Sequence, residues 1–497
     1  MRLIPEEIDK FLNSEYGVSL LIKGPPGSGK TTFSLQILDK MKSYKNTIYV
    51  STRIGDISLY NQFPWLKNLE KNIKLIIFSK TFVEKINKNI KENEIKYIAK
   101  EMLTEMRNNE KHVSRFMYNK LFKDNFIPEI ERIYDEVESN LPKQSIIVID
   151  SIEGITIPYG IDSSNFMYMI QKDIIESAGS TVIFVSEKNS IEPEDYIADG
   201  VIYMDYEYLQ DYNNIMLRYI KIKKLRGYKI KENTYIFTLE NGKIGIFNYP
   251  ELRKFKSGKF NAIKNNAKYS TGIKDLDNIL NGGIKPGNIL TMNVSNNTTF
   301  SNFWLINKPL ILNALYNKFC IVFLAISSHT FTNPIESICQ DVGYDVCDSK
   351  VRFVNYFPCT YLKKGLIEDI LVDRDSIALN DFKVLSEINK ISENKYPILF
   401  YLDYPSLENI KGYMEAKKEL NYIINYIRGS NKHIGVIYTN ENVDVENEIK
   451  SLSNYYINIV TIKGNTFIFG IKPEFHLHGV MPDESLGEPN VKLIQVL

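Results

Sequence analysis

The chain has 497 residues, 44% hydrophobic and 24% charged, a globular composition in a length too great for one ordinary core. Its 61 basic and 60 acidic residues leave a formal net charge of +1, so no global field draws it to nucleic acid or to a membrane surface. The longest apolar runs are strand-length, and the opening MRLIPEEIDKFL carries early acids without an apolar h-region, so neither a signal peptide nor a membrane partner is expected.

Val18–Ile22 is the first predicted strand. It runs into Gly24, Pro25, Pro26, Gly27, Ser28, Gly29, Lys30 and Thr31, and Thr32 opens a helix-periodic stretch. This is the complete pattern GxxxxGK[ST] in a strand–loop–helix setting. The glycines let backbone N–H groups curl around a polyphosphate, and the helix adds its positive N-terminal end. Lys30 is placed to reach the β- and γ-phosphates and Thr31 to ligate Mg2+, so the reading is of a chain that binds a nucleoside triphosphate such as ATP.

Further strands are predicted at Thr47–Ser51 and Lys74–Phe78, followed by a helical insertion over about residues 83–140. Its last helix shows Ile130, Ile133, Tyr134 and Val137 at i, i+3, i+4, i+7. Its earlier, highly charged part fits either a lid or partner-docking element or a solvated helical hairpin. Ser145–Ile149 then ends in Asp150, an apolar strand that delivers an acid to the sheet edge where ligands bind in open α/β folds. Paired with the upstream loop, Asp150 reads as the Walker B acid, a second holder of magnesium.

Thr181–Ser186 and Val201–Met204 continue the parallel plan. Met216–Lys223, Thr234–Leu239 and Ile244–Phe247, joined by turns such as Asn241-Gly242, read as an antiparallel extension. Residues 249–268 form a basic linker with Arg253, Lys254, Lys256, Lys259, Lys264 and Lys268 around Phe255 and Phe260. That composition suits a nucleic-acid contact and equally a solvated connection.

From residue 269 the plan restarts. Ile289–Met292, Cys320–Ala325, Val351–Asn355, Pro397–Leu402, Ile434–Tyr438 and Tyr455–Ile462 repeat the strand order at similar spacing, an internal duplication of a whole domain. Where the first half has its phosphate loop, the second reads Asn293-Val-Ser-Asn-Asn-Thr-Thr-Phe300, without glycine or lysine, although an acid survives at Asp403. A nucleotide-dead copy used for scaffolding, subunit contact or partner binding is expected. The cysteines Cys320, Cys339, Cys347 and Cys359 show no CxxC spacing, and of five histidines only His476 and His478 form a ligand-like pair. Reduced thiols in a cytoplasmic compartment are the simple reading.

Four strings carry a family likeness: Asp150-Ser151 closing its strand, Phe184-Val185-Ser186-Glu187, Tyr196-Ile-Ala-Asp199-Gly200-Val201-Ile202, and Lys223-Lys224-Leu225-Arg226-Gly227. In the second half, Ser270-Thr-Gly272-Ile273 through Gly282-Gly283-Ile-Lys-Pro286-Gly287 adds a fifth. Together these resemble the KaiC and RadA group of RecA-type ATPases. The tandem layout and Ser51-Thr52-Arg53 are most similar to archaeal KaiC-like regulators of the gas-vesicle GvpD type.

The resemblance implies an α/β fold of two tandem RecA-like P-loop NTPase domains, mostly parallel sheets flanked by helices with antiparallel C-terminal extensions. Residues 1–248 would be the active domain and 269–497 the degenerate one. It implies a homo-oligomeric ring with ATP between subunits, in which Lys224 and Arg226 act on a neighbour's γ-phosphate. A regulatory protein partner is the implied output, with a DNA-acting recombinase or repair accessory as the alternative. The sequence departs from the family at one catalytic point. No glutamate follows the second strand, where Thr52, Arg53, Ile54, Gly55 and Asp56 stand. Asp56, Glu153 and Glu187 are substitutes by composition, and hydrolysis is expected to be slow.

Overall fold

The computed structural model describes residues 3–43, 45–52, 55–69, 73–77, 127–210, 214–247, 260–265, 267–326, 329–357, 368–393, 395–444, 446–483 and 490–497. The chain divides into two compact units, Met1–Phe247 with Leu497, and Asn248–Val496.

In the first unit the described strands are β1 Ser19–Lys23, β2 Asn46–Ser51, β3 Ile73–Ile77, β4 Ser145–Asp150, β5 Thr181–Ser186, β6 Gly200–Leu209, β7 Ile215–Leu225, β8 Thr234–Thr238 and β9 Gly245–Ile246. They form one sheet in the order β3-β2-β4-β5-β1-β6-β7-β8-β9. The strands from β3 across to β6 are parallel, and β7, β8 and β9 add antiparallel pairs. Both faces of the parallel part are covered, which is why its strands read as unbroken apolar runs rather than alternations. On one face Leu20, Ile22, Val148 and Ile183 pack with Phe33, Ile37 and Leu38 of helix Lys30–Met41. On the other, Leu21, Ile147, Ile149 and Phe184 pack with Ile130, Ile133, Ile155 and Phe166. The i, i+3, i+4, i+7 stripe predicted for the last insertion helix is buried along helix Pro128–Asn140. The rest of the insertion up to residue 126, and residues 249–259 and 266 of the basic linker, lie outside the described residues.

The second unit repeats the topology. Its described strands are β10 Ile289–Val294, β11 Cys320–Leu324, β12 Val351–Asn355, β13 Glu368–Leu371, β14 Ile398–Asp403, β15 Ile434–Asn440, β16 Tyr455–Ile462, β17 Asn465–Lys472, β18 Glu474–Pro482 and β19 Val491–Gln495. Their order is β13-β12-β11-β14-β15-β10-β16-β17-β18-β19. Removing β13 leaves the first unit's order strand for strand, so the duplication read from the sequence extends to topology. The additional β13 pairs with β12 in parallel at the sheet edge.

The expectation of wholly reduced thiols does not hold, because Cys339 and Cys347 form a disulfide. The turn at Gly343, whose φ is +100°, reverses the chain between helices His329–Val342 and Tyr344–Lys350 and brings residues eight apart to a Cα separation of 5.7 Å. Spacing alone does not reveal such a pair. Cys320 is free and buried, and burial pushes its thiol up to about 11.

His433 supplies a pH signature of this unit. Its buried ring accepts a hydrogen bond at Nδ1 from the Ile398 N–H (3.1 Å) at the start of β14. Burial, with Lys432 adjacent, lowers its pKa to about 4. An unfolded histidine takes its proton near pH 6.5, so the unfolded chain binds more protons between those values and stability falls as pH falls. We expect His433→Asn, whose amide oxygen can still accept from Ile398, to remove about 2 kcal/mol of that acid-side loss. Urea titrations read by Trp304 fluorescence in a Trp65→Phe background check this.

Candidate nucleotide-binding site

The phosphate loop joins β1 to helix Lys30–Met41 at the C-terminal edge of the parallel sheet. Gly24 is required by close approach, since a Cβ there would lie 1.9 Å from the Met204 carbonyl oxygen. Gly29, the residue before the helix, has φ +95°, a left-handed conformation that side-chain-bearing residues rarely adopt. Pro25, Pro26, Gly27 and Ser28 complete the turn, and the Ser28 hydroxyl is buried inside it. Lys30 folds back over the loop, its ammonium donating to the carbonyls of Gly24 (2.6 Å) and Pro25 (2.9 Å). Thr32 is buried one residue beyond Thr31.

Thr31 and Asp150, the two residues the sequence assigns to magnesium, meet directly. The Thr31 hydroxyl donates to Asp150 Oδ2 at 2.7 Å. Tyr49, from the neighbouring β2, donates its hydroxyl to the same oxygen at 2.8 Å. Burial and the Asp150 charge raise the Tyr49 pKa well above its ordinary value, so the phenol stays a donor. A hydroxyl and a carboxylate converging beside a phosphate loop are the hard oxygen donors magnesium takes, so this donor set fits the ion. The sequence does not single out Tyr49, which reads there as one apolar-looking position in a buried strand.

Thr52 stands where the family resemblance calls for a glutamate, and its hydroxyl is engaged in the backbone of β4. Its hydroxyl donates to the Asp150 carbonyl (2.9 Å) and accepts from the Ser151 N–H (2.8 Å). A Cβ on Gly154 would lie 2.0 Å from the Thr52 hydroxyl, so glycine lets the helix after β4 approach this clamp. Arg53 and the side chain of Asp56 lie outside the described residues. Glu153 is buried near the end of β5, where its Oε1 accepts from the Ser186 hydroxyl and from the Glu187 N–H (3.3 Å).

Lys224 and Arg226 lie at the opposite edge of the sheet. Leu225 pairs with Gly200, and Gly200 pairs with Leu20 near the start of β1. Arg226 is largely exposed and forms an ion pair with Asp199 (2.7 Å), which in turn accepts from the N–H and hydroxyl of Ser19. Ser19 stands five residues before Gly24, about 16 Å along a strand, so the Arg226 guanidinium is remote from its own phosphate loop. Lys224 is held by its own chain. Its ammonium donates to the carbonyls of Ala198 (2.6 Å), Asp195 (3.2 Å) and Tyr196 (3.3 Å), and burial followed by the Arg226 charge lowers its pKa. The same Asp195 pairs through its carboxylate with Lys23 (2.6 Å), the last residue before the loop. The segment 190–199 is thus tied to the phosphate loop on one side and to the Lys224–Arg226 edge on the other.

In the second unit, pairing register locates the counterpart of the loop. Asp150 pairs with Val185 and Val185 with Ile22, as Asp403 pairs with Tyr438 and Tyr438 with Met292. The eight-residue counterpart is therefore Val294 to Ser301, one residue later than the sequence places it, and Phe300 stands where Lys30 stands. Phe300 is the first helical residue and stacks on Trp304 (centroids 5.7 Å apart). Ser295, Asn296 and Asn297 bond to Thr298, Asn442 and the Thr461 carbonyl, filling the loop with its own side chains. Asp403 caps the following helix by accepting from the N–H and hydroxyl of Ser406, and burial raises its pKa to about 6.

A parallel sheet with a glycine-bearing phosphate loop, a converging Thr31–Asp150 pair and an antiparallel extension defines a RecA-like P-loop NTPase. A family model described as "ATPase: KaiC" matches residues 6–251, and the first unit is a KaiC-like P-loop ATPase domain. The chain is similar to two curated proteins of Halobacterium salinarum. With Protein GvpD1 it is 24% identical over 324 residues, 63% of this chain and 54% of that protein. With Protein GvpD2 it is 25% identical over 320 residues, 63% and 59% respectively. The chain thus matches little more than half the length of these relatives. No helix among the described residues is long and apolar enough to cross a membrane.

Proposed function

We propose that the first unit binds ATP with Mg2+ and hydrolyses it slowly, and that its nucleotide state controls assembly of a homo-oligomer or the grip on a regulatory protein partner. The observation that carries this reading is the division of the site between two sheet edges. The loop, Thr31 and Asp150 stand at one edge, and the exposed Arg226 at the other, about 16 Å away by strand length. In a head-to-tail ring, Arg226 of each subunit faces the phosphates held by the next.

Within one site the division of labour follows from the residues. The loop N–H groups and Lys30 take the β- and γ-phosphates, exchanging the Gly24 and Pro25 carbonyls for phosphate oxygens. Thr31 and Asp150 hold magnesium, which when bound neutralises charge on the transferred phosphoryl. Tyr49 fixes the rotamer of Asp150. Segment 190–199, anchored to Lys23 and Lys224, couples the loop to the Arg226 edge, and the second unit serves as scaffold or partner surface. Single-turnover hydrolysis of radiolabelled ATP tests the enzymatic half of this reading. Phosphate release with a time course of minutes is expected; bound ATP recovered intact after hours contradicts it and leaves a pure nucleotide sensor.

A further inference from the structure

The residue that activates the attacking water is missing from its family position, because Thr52 there clamps the backbone of Asp150 and Ser151. Resting on the hydrolytic reading above, we propose that Glu153 performs this role. Three features support the assignment. Glu153 is 8% exposed, in the first turn of the helix that follows Asp150. One carboxylate oxygen, Oε1, is anchored by the Ser186 hydroxyl and the Glu187 N–H. The other, Oε2, is buried without a hydrogen-bond partner among the described residues.

A buried carboxylate oxygen without a donor is costly, so a fold that retains one keeps an acceptor for a donor that binds there. The topology says where that acceptor lies. β5 runs between β4 and β1, with Val185 beside Asp150 and Ser186 beside Lys23. By reaching the hydroxyl of Ser186, Glu153 carries its carboxylate from the magnesium-holding strand towards the strand that launches the phosphate loop. In this assignment Oε2 is the oxygen that takes the attacking water once nucleotide binding opens that side of the carboxylate.

The step balances without further reagents. The water oxygen bonds to the γ-phosphorus as the bond from that phosphorus to the β,γ-bridging oxygen breaks, and ADP leaves with the electron pair. The water proton passes to Oε2 and from there to the released phosphate, restoring the carboxylate. Ser186 and the Glu187 N–H are positioning groups that set the angle of Glu153. Glu187, another of the substitutes by composition, serves here through its backbone N–H.

The test uses the full chain with Glu153→Gln, Glu153→Asp and Glu187→Gln, measuring kcat, KM and the affinity for a fluorescent ATP analogue. We expect Glu153→Gln, an isosteric change, to lower kcat by about 10²-fold or more while KM and affinity stay within about twofold. Glu153→Asp should retain an intermediate kcat, and Glu187→Gln should lose less than Glu153→Gln. A Glu153→Gln protein with wild-type kcat, or a larger loss in Glu187→Gln, overturns the assignment while leaving the ATPase reading standing. So does a parallel fall of kcat and ATP affinity, which marks a structural role. A wild-type chain that binds ATP without turnover overturns the hydrolytic reading and this assignment together.

Discussion

Replacing Lys30 with alanine is expected to abolish ATP turnover and weaken ATP binding by about 10²-fold, with thermal stability changed little. The expectation follows from how the loop is built. Gly24 and Gly29 have conformations and contacts that set the backbone without help from Lys30. The lysine, although buried, contributes its charge and hydrogen bonds to the Gly24 and Pro25 carbonyls rather than setting the loop backbone. Asp150→Asn should lose turnover by a similar factor, because Thr31 and Tyr49 both donate to Asp150 Oδ2 and a neutral amide answers neither donor with a charge. Isothermal titration with Mg-ATP and a steady-state phosphate-release assay check both variants. Binding by Lys30→Ala at wild-type affinity would remove the loop from the mechanism.

The second large effect concerns Arg226. Its guanidinium is largely exposed and, among the described residues, pairs with Asp199, which Ser19 also holds, so Arg226→Ala should cost little stability. Turnover should nevertheless fall by about 10³-fold or more if this arginine stabilises phosphoryl charge on a neighbour. The diagnostic result is recovery on mixing. A Lys30→Ala subunit has a dead loop but an intact Arg226, and an Arg226→Ala subunit has the converse. An interface formed by the loop of an Arg226→Ala subunit, which still binds ATP and drives association, and a Lys30→Ala neighbour combines a working loop with a working arginine. Two inactive proteins that together hydrolyse ATP establish action between subunits. Two that stay inactive when co-assembled place Arg226 outside the reaction.

Much of this architecture is legible in the sequence, for identifiable reasons. Strands buried on both faces, such as Ser145–Asp150, must be apolar throughout, and they announce themselves. The phosphate loop is legible because close backbone approach at Gly24 and positive φ at Gly29 leave little choice of residue. The duplication is legible because two similar sheets need similar strand spacing. What the sequence hides depends on contacts between distant residues. Tyr49 and Asp150 are 101 positions apart, and nothing in either strand says that they touch. Glu153 and Glu187 are equal candidates by composition. The fold brings Glu153 to Ser186 and leaves its Oε2 buried without a hydrogen-bond partner among the described residues. Lys224 and Arg226 look alike in the string Lys-Leu-Arg-Gly, yet one is engaged by backbone carbonyls and the other faces outward. β13 is missed because four residues beginning with two acids, at a sheet edge, carry almost no pattern.

Completion of the site by a second subunit, under the control of nucleotide, is central to the proposed mechanism. The most direct measurement is the mass of the full chain by light scattering, with and without Mg-ATP, alongside Lys30→Ala. ATP is expected to drive the wild type into a larger closed assembly while Lys30→Ala keeps its nucleotide-free mass. A wild-type mass that ignores ATP, in a protein that binds it, would leave Arg226 no phosphate to act upon and contradict the shared site.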